Sequence, residues 1–283
     1  MLNVAWVRRE LRALGIPPLK KFGQHFLIDK TIREELVETA ALTAKDTVLE
    51  IGPGLGFLTT LLADRAGRVI AVEKDRTLAA YLMDRLSGKK NVRIIQADIL
   101  ATNIPEYTKI VSSPPYNISS KLILLILKSN FKLAALLLQR EFARRLTAVH
   151  ASSEYGRLSV MLQSKAKAEL IAPVPRSAFF PPPRADSSIV TIEPTKVDLP
   201  IANYGLFEEL VRGLFTQRRR RLTGVLSRYL KRHYPAMHHH LLERVTVLDK
   251  RVYEMSPEEF VSLSNQISDI LAKNNMDGDS TGN

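Results

Sequence analysis

The stretch Val48-Leu-Glu-Ile-Gly-Pro-Gly-Leu-Gly56 indicates how the chain folds. An aliphatic, strand-like run ends in three glycines with the spacing G-x-G-x-G, and an apolar helical pattern follows. Because glycine has no Cβ, such a turn lets the backbone enter a helix tightly and approach a ligand closely. The spacing differs from the G-x-G-x-x-G of dinucleotide-binding turns. The stretch therefore predicts a turn that binds a nucleoside, with a purely structural turn as the alternative.

Predicted strands and helices alternate around this turn. Such alternation is typical of an α/β fold with a doubly wound, mostly parallel, Rossmann-like sheet, whose ligands bind beyond the carboxyl ends of the strands. Asp29 is the expected N-cap of the helix that precedes the turn. The strands are expected at residues 47–52, 68–73, 92–97, 109–113 and 133–139, and the helices at residues 31–43, 55–65, 76–86, 119–128 and 141–149.

The pattern changes after residue 151. A helix is expected at residues 156–165, and strands are expected at residues 167–172 and 188–192. A proline-rich loop joins these two strands without a helix, which predicts antiparallel closure of one edge of the sheet. Only helical segments are expected beyond this point, at residues 203–216, 219–232, 236–246 and 257–272.

Three regions follow from these patterns. Residues 1–195 are predicted to form the α/β ligand-binding domain, which begins with a short amphipathic helix. Residues 196–273 are predicted to form a small all-helical domain, and residues 274–283 are polar, contain glycine and are predicted to be disordered.

The charge balance indicates a polyanionic partner. The 283 residues include 41 Lys and Arg against 29 Asp and Glu, which gives a formal net charge of +12. Such an excess favours nucleic acid or an anionic membrane surface. The longest apolar run, residues 122–127, is far shorter than the ~20 residues of a membrane span. We therefore expect a nucleic-acid partner and no membrane span.

Several kinds of site are excluded or not expected. The chain has no cysteine, which rules out disulfides, thiolate metal sites and cysteine nucleophiles and fits a reducing compartment such as the cytoplasm. The triplet His238-His-His240 has no acid or cysteine at ligand spacing, so no metal site is expected. The first 14 residues lack the continuous apolar segment of a secretory signal.

Two acids follow the next two predicted strands. Glu73 lies 21 residues after Gly52, at the end of a strand, where a carboxylate can accept hydrogen bonds from both ribose hydroxyls. Asp98 ends the third strand and can accept a hydrogen bond from an adenine amino group, although a turn or N-cap aspartate is the alternative. With Gly52 and Gly54, these acids predict a nucleoside site.

The turn Ser113-Pro-Pro-Tyr116 ends a later strand and is suited to an exocyclic amine. The lone pair of such an amine is delocalised into the base, so the amine is a poor nucleophile. Hydrogen bonds to the Ser113 hydroxyl and the Pro114 carbonyl would localise that lone pair, and Tyr116 would stack on the base. A rigid Pro-Pro turn with a packing tyrosine is the structural alternative. The turn predicts transfer of a methyl group to an amine.

Aromatic and basic residues later in the chain suggest contacts with a nucleic acid. Phe179 and Phe180, in the proline-rich loop, are candidates for the other half of a sandwich around an extruded base, with core packing as the alternative. Arg218 to Arg221 lead a basic band in the helical region, which predicts salt-dependent phosphate contacts unless the band is only a solvated face.

The order of the motifs resembles the ribosomal small-subunit RNA adenine dimethyltransferases, which are related to the erythromycin-resistance methylases. The resemblance covers about residues 20–225. The matching stretches are Phe22-Gly-Gln-His-Phe-Leu-Ile-Asp29, Glu50-Ile-Gly-Pro-Gly-Leu-Gly56, Glu73-Lys-Asp75, Gln96-Ala-Asp98, Pro115-Tyr-Asn-Ile-Ser119, Phe179-Phe-Pro-Pro-Pro183 and Phe215-Thr-Gln-Arg-Arg219.

The resemblance implies a methyltransferase domain that uses S-adenosylmethionine, followed by a small helical domain that binds RNA. The implied activity is N6,N6-dimethylation of two adjacent adenines near the 3′ end of small-subunit rRNA during ribosome biogenesis, with a small-subunit precursor as partner. We expect a cytoplasmic monomer. Tyr116 and Phe179 match base-stacking positions. The implied cofactor contacts are His25, Leu27, Gly52, Glu73, Asp98 and Ser113.

One motif departs from the family. Its usual tetrapeptide is Asn-Leu-Pro-Tyr, whereas this chain has Ser113-Pro-Pro-Tyr116, which also resembles the turn of methyltransferases that act on cytosine N4. A serine hydroxyl accepts a hydrogen bond but is shorter than an asparagine amide. Two further readings therefore stay open: a cytosine-N4 methyltransferase, and an RNA-binding assembly factor that has lost most turnover.

Overall fold

The computed structural model describes residues 4–16, 24–195 and 199–279 and centres on a seven-stranded sheet. Aliphatic residues fill its middle strands, which are buried on both faces, as expected for a parallel sheet covered by helices. The strands of this sheet are β2 (Thr47–Ile51), β3 (Arg68–Glu73), β4 (Val92–Gln96), β5 (Lys109–Ser112), β6 (Leu133–Gln139), β7 (Ala166–Val174) and β9 (Ser187–Pro194). A separate pair is formed by β1 (Phe26–Leu27) and β8 (Phe179–Phe180).

The strand order β4-β3-β2-β5-β6-β9-β7 confirms the doubly wound fold. The chain runs outward from β2 through β3 to β4 and then returns to β5 on the other side of β2. The pairs among β2 to β6 are parallel, whereas β9 pairs antiparallel with β6. The direction of winding changes between β2 and β5, and a crevice at such a point binds ligands in doubly wound sheets.

Helices of the sheet unit are α1 (Val4–Ala13), α2 (Lys30–Thr39), α3 (Phe57–Arg65), α4 (Arg76–Arg85), α5 (Ser119–Ile126) and α6 (Arg140–Thr147). Asp29 caps α2 as predicted, because its Oδ1 accepts a hydrogen bond from the Ile32 N–H at 3.1 Å. One core cluster joins α2 and α3 to the sheet, and a second packs α1 over Phe26 and Leu55. The glycine turn is therefore held between two apolar cores.

A second unit is helical. It contains α7 (Arg157–Gln163), α8 (Tyr204–Leu214), α9 (Leu222–His233), α10 (His238–Arg244) and α11 (Pro257–Asp279). By its contacts, the chain divides into one unit with the described residues up to Arg144 plus Lys167–Pro194, and another with Arg145–Ala166 plus the described residues from Thr195 onward. The expected boundary near residue 195 coincides with one of these divisions. The segment 145–166, which we placed in the α/β domain, groups with the helices because Tyr155 and Ser159 are buried among them.

The end of the chain also differs from the prediction. Helix α11 continues through Asp279, five residues beyond Asn274, where disorder was predicted to start. No proline interrupts this stretch, so the helix has no strong reason to stop there. Residues 280–283 lie outside the described residues, as do parts of the predicted amphipathic N-terminal segment and of the loop before His25. Within the described parts of the chain, no helix has the length and apolar character of a membrane span.

Candidate active site

The glycine turn adopts a backbone conformation that side chains disfavour. Gly52, Gly54 and Gly56 have φ angles of 70°, 60° and 77°. A Cβ on Gly52 would lie 3.0 Å from Pro115, and a Cβ on Gly54 would lie 3.0 Å from the Phe26 ring. The glycines therefore allow both the left-handed turn and the close approach of the neighbouring loops, as the motif predicted.

A pocket of about 370 Å³ opens at the carboxyl ends of β2 to β5. It lies at the change of winding direction, where the fold predicts a ligand site. Its volume falls within the range of small-molecule sites. The lining residues are Gln24, His25, Phe26, Ile51, Gly52, Gly54, Val72, Glu73, Lys74, Asp75, Arg76, Leu78, Ala97, Asp98, Ile99, Ser113, Pro114, Pro115, Tyr116, Asn117 and Ile118.

Glu73 stands at the end of β3 and is tied to the glycine turn. Its Oε2 accepts a hydrogen bond from the Gly54 N–H at 3.1 Å, and its Oε1 accepts one from the Asp75 N–H at 2.9 Å. Burial raises the pKa of the Glu73 carboxyl, although these backbone hydrogen bonds act in the opposite direction. Each carboxylate oxygen can accept more than one hydrogen bond, so Glu73 can hold the turn and still accept from a ligand hydroxyl.

Asp98 lies on the same pocket and serves two roles. Its Oδ1 accepts a hydrogen bond from the Leu100 N–H at 3.0 Å, so the proposed turn aspartate is present. Its Oδ2 accepts a hydrogen bond from the Lys74 Nζ at 2.8 Å, and this contact is the main reason that the pKa of Asp98 is lowered. Asp98 therefore presents an ionised carboxylate that can accept a hydrogen bond.

The turn that follows β5 faces the glycine turn across the pocket. Ser113 is partly exposed, and among the described residues its hydroxyl has no hydrogen-bond partner. Its neighbour Ser112 is fully buried: its Oγ donates to the Ile51 carbonyl at 2.7 Å and accepts from the Ile51 N–H at 3.3 Å. Ser112 thus joins the ends of β5 and β2 beyond their last backbone pair, Leu49 with Ile110.

Tyr116 begins a short 3-10 turn, Tyr116–Ile118, and its ring is held from two sides. Its hydroxyl lies 2.6 Å from the Ser187 Oγ, and the His25 ring stacks at 5.9 Å between centroids. His25 is positioned in turn by a 2.7 Å contact between its Nδ1 and the Pro181 carbonyl. Burial raises the pKa of the Tyr116 hydroxyl, and the hydrogen bond with Ser187 lowers it by less, so Tyr116 is neutral and cannot act as a base near pH 7.

Two residues expected in the site do not line the large pocket. Phe179 is only 2% exposed and meets the Tyr116 ring edge-on at 6.3 Å, because it packs into the core with Ala178 and Ile189. Leu27 is also buried and pairs with Phe179 across the small sheet. In this structure Phe179 supports Tyr116 and does not present a face to a base. Phe180 contacts the Arg8 guanidinium at 5.2 Å and is also outside the pocket lining.

The four predicted RNA-binding arginines differ in their surroundings. Arg218 donates hydrogen bonds to the Ser153 and Ser152 carbonyls at 2.9 and 3.0 Å, and Arg221 forms an ion pair with Asp249. The side chains of Arg219 and Arg220 are exposed and have no partner within the described chain. The arginine run therefore combines structural and available cations.

Sequence reasoning missed several residues of this site. Phe26 packs against Gly54, Ser112 joins two strand ends, and Ser187 holds the Tyr116 hydroxyl. The position of Ser112 at a strand end was a usable signal, because side chains there can replace missing backbone pairing. Ser187 carried no such signal, since it lies 71 residues from Tyr116. Residues 4–16, 24–195 and 199–279 contain no group of three or more His, Asp or Glu arranged to hold a metal ion.

Comparisons with known proteins agree on one family. The ribosomal RNA adenine dimethylase family matches residues 19–269. A protein of Methanothermobacter thermautotrophicus named probable ribosomal RNA small subunit methyltransferase A is 38% identical over 266 residues, which cover 93% of this chain and 96% of the relative. A protein of the same name from Thermococcus kodakarensis is 39% identical over 254 residues, which cover 88% and 90%.

Solved structures give the same result. A dimethyladenosine transferase from Plasmodium falciparum superposes with a TM-score of 0.76 at 27% identity and covers 87% of this chain and 98% of its own. The 23S rRNA methyltransferase ErmE superposes with a TM-score of 0.63 at 30% identity and covers 86% and 99%. This chain belongs to the ribosomal RNA adenine dimethylase family.

Proposed function

We propose that this protein dimethylates the N6 amines of two adjacent adenines near the 3′ end of small-subunit rRNA, with S-adenosylmethionine as methyl donor. It does so on a precursor of the small ribosomal subunit, in the cytoplasm. The observation that carries the proposal is the position of the Ser113–Tyr116 turn directly across the pocket from the glycine turn, in a chain of this family.

The residues of the pocket fit the donor. The adenosine part requires an acceptor for ribose hydroxyls, an acceptor for the adenine amine and apolar walls. Glu73, Asp98 and the side chains of Val72 and Ile99 supply these, and the absence of Cβ atoms at Gly52 and Gly54 leaves the backbone accessible. When bound, S-adenosylmethionine supplies an electrophilic methyl group.

The acceptor side is formed by the turn after β5. The Ser113 hydroxyl and the Pro114 carbonyl are placed to accept hydrogen bonds from an exocyclic amine, which localises its lone pair toward the methyl donor. Tyr116 supplies the stacking face, worth ~1–3 kcal/mol per base. Because Tyr116 is neutral, its contribution is stacking and orientation; the amine becomes acidic once methylated and needs no tuned base.

The helical unit supplies the contacts to RNA. Arg219 and Arg220 are exposed and can pair with phosphates, whereas Arg218 and Arg221 already have protein partners. The net charge of +12 favours encounter with a polyanion. We expect one monomer to act on one subunit.

Substitution of Tyr116 tests the function. In an assay of labelled methyl transfer to unmethylated small subunits, Tyr116→Ala should abolish transfer, whereas Tyr116→Phe should keep most of it because the stacking face is retained. Both variants should bind S-adenosylhomocysteine with nearly wild-type affinity. Absence of transfer by the wild-type protein would overturn the proposed activity, and equal loss of transfer and cofactor affinity in Tyr116→Ala would make Tyr116 structural.

A further inference from the structure

A second, smaller cavity of about 40 Å³ lies beneath the glycine turn. A cavity of roughly 10–15 Å³ suffices for one water molecule, so this space can hold a few polar atoms. It adjoins the large pocket, since His25, Phe26, Gly52, Gly54 and Ser113 line both. A ligand in the large pocket can therefore extend a small group into it.

Glu50 lines this cavity and has an unexplained carboxyl oxygen. The residue lies on β2 and is 2% exposed. Its Oε2 is buried and has no hydrogen-bond partner within the described chain. The Thr59 hydroxyl on α3 faces the carboxyl but does not reach hydrogen-bond geometry. A buried acid without a partner is costly to retain, which points to a group that is supplied from outside the chain.

Arg33 brings the opposite charge to the same cavity. Its guanidinium donates to the Leu27 carbonyl at 2.8 Å and lies over the Phe57 ring, but its buried Nε has no partner among the described residues. Arg33 and Glu50 do not form an ion pair with each other, since no such contact occurs between these two described side chains. The cavity thus has one unpaired acceptor and one unpaired donor.

We propose that Glu50 and Arg33 form the subsite for the amino-acid end of the cofactor, in which Glu50 binds the ammonium and Arg33 the carboxylate. This assignment rests on the proposed function, which places the adenosine part against Glu73 and Asp98. A zwitterion matches the two unpaired groups, whereas a simple anion or cation would leave one of them unsatisfied.

Charges around Glu50 predict a proton change on binding. Burial raises the pKa of Glu50 to about 8, and Glu73 at the end of β3 raises it further, while Thr59 lowers it. Arg33 on α2 and His25 before β1 are the other ionisable residues that line the cavity. Near pH 7 most of the free protein has Glu50 protonated, and an ammonium favours the ionised form. Binding should therefore release up to about one proton.

A pair of ligands isolates this subsite. S-adenosylhomocysteine carries the amino-acid end, and 5′-methylthioadenosine has the same nucleoside without it. In isothermal titration calorimetry, Glu50→Gln should weaken S-adenosylhomocysteine binding about 10- to 100-fold and leave 5′-methylthioadenosine within about twofold. Arg33→Met should show the same selectivity. Glu38→Gln, an exposed substitution on α2, is the matched control and should change neither affinity.

The wild-type protein gives a second readout that needs no variant. Between pH 6 and 8, its affinity for S-adenosylhomocysteine should rise with pH, and the heat in buffers of different ionisation enthalpy should report proton release. Affinity for 5′-methylthioadenosine should not show this rise, because titration of Glu73 affects both ligands alike. Equal weakening of both ligands by Glu50→Gln, or no proton release, would overturn the subsite. Failure of the wild type to bind either ligand would instead overturn the proposed cofactor.

Discussion

At the end of β5, the Ser113 hydroxyl lines the pocket without a partner among the described side chains. The family resemblance places an asparagine there, whose amide oxygen reaches farther than a serine oxygen. The shorter side chain requires the amine to approach closer to β5 for the same hydrogen bond. Asn117, which lines the same pocket, is exposed and offers a second amide nearby.

Substitution at Ser113 separates catalysis from binding. We expect Ser113→Ala to lower the rate constant of methyl transfer about 10- to 100-fold, because an acceptor aimed at the amine is lost, while affinity for S-adenosylhomocysteine changes little. Ser113→Asn should retain or raise the rate. Single-turnover transfer to small subunits measures both. A normal rate in Ser113→Ala would assign amine recognition to another group.

Single residues were predictable from the sequence where their position depends on one strand end. Gly52, Glu73, Asp98 and Ser113 each follow a strand of the parallel sheet, and such ends meet at one edge. Phe179 was placed incorrectly on the pocket wall, because the direction of its ring is set by packing against residues distant in sequence. Sequence spacing contains no information about that direction.

Among the secondary-structure elements, the relation between β2 and β5 decides the width of the site. Backbone pairing between them ends at Leu49 and Ile110, and Ser112 continues it with a side chain. Because the glycine turn follows β2 and the Ser113 turn follows β5, this contact sets the separation between the donor and acceptor sides of the pocket.

Removal of this contact should affect both stability and transfer. Ser112→Ala leaves the Ile51 N–H and carbonyl without their buried partner, which we expect to lower the free energy of unfolding by roughly 1–3 kcal/mol. The rate of transfer should fall more than cofactor affinity. Ser120→Ala, an exposed change on α5, should alter stability by less than about 0.5 kcal/mol. Chemical denaturation compares them, and equal stabilities would remove the structural role of Ser112.

Elements were predictable because apolar periodicity and strand-end signals agree in this chain. The strands β3 and β6 occur at the predicted residues. Helix α3 begins at Phe57, two residues later than predicted, because the left-handed Gly56 caps it. Strand β7 extends to Val174 beyond the predicted end, since pairing within the sheet continues into the proline-containing loop.

For the whole molecule, the excess of positive charge is the feature that relates most directly to RNA. Arg219 and Arg220 have exposed side chains, whereas Arg218 holds the carbonyls of Ser152 and Ser153 within the helical unit. The sequence predicted the arginine run but could not assign these roles. Nor could it assign residues 145–166 to that unit, because the grouping depends on contacts with helices distant in sequence.

Paired substitutions distinguish these roles. Arg219→Ala with Arg220→Ala should weaken RNA binding and reduce the slope of log affinity against log salt by about 1.5–2, with stability unchanged. Arg218→Ala should instead lower the free energy of unfolding by roughly 1–3 kcal/mol, with a smaller change in slope. Fluorescence anisotropy over a salt series measures the slopes. An unchanged slope in the double variant would exclude these arginines from phosphate contacts.

The identity of the methylated base tests the account most directly. Unmethylated small subunits incubated with the protein and labelled S-adenosylmethionine should contain N6,N6-dimethyladenosine at two adjacent positions near the 3′ end of the rRNA, as mapped by nuclease digestion and mass spectrometry. Label on cytosine N4 would contradict the adenine assignment and select the other reading of Ser113-Pro-Pro-Tyr116. Tight subunit binding without any label would contradict the enzymatic function itself.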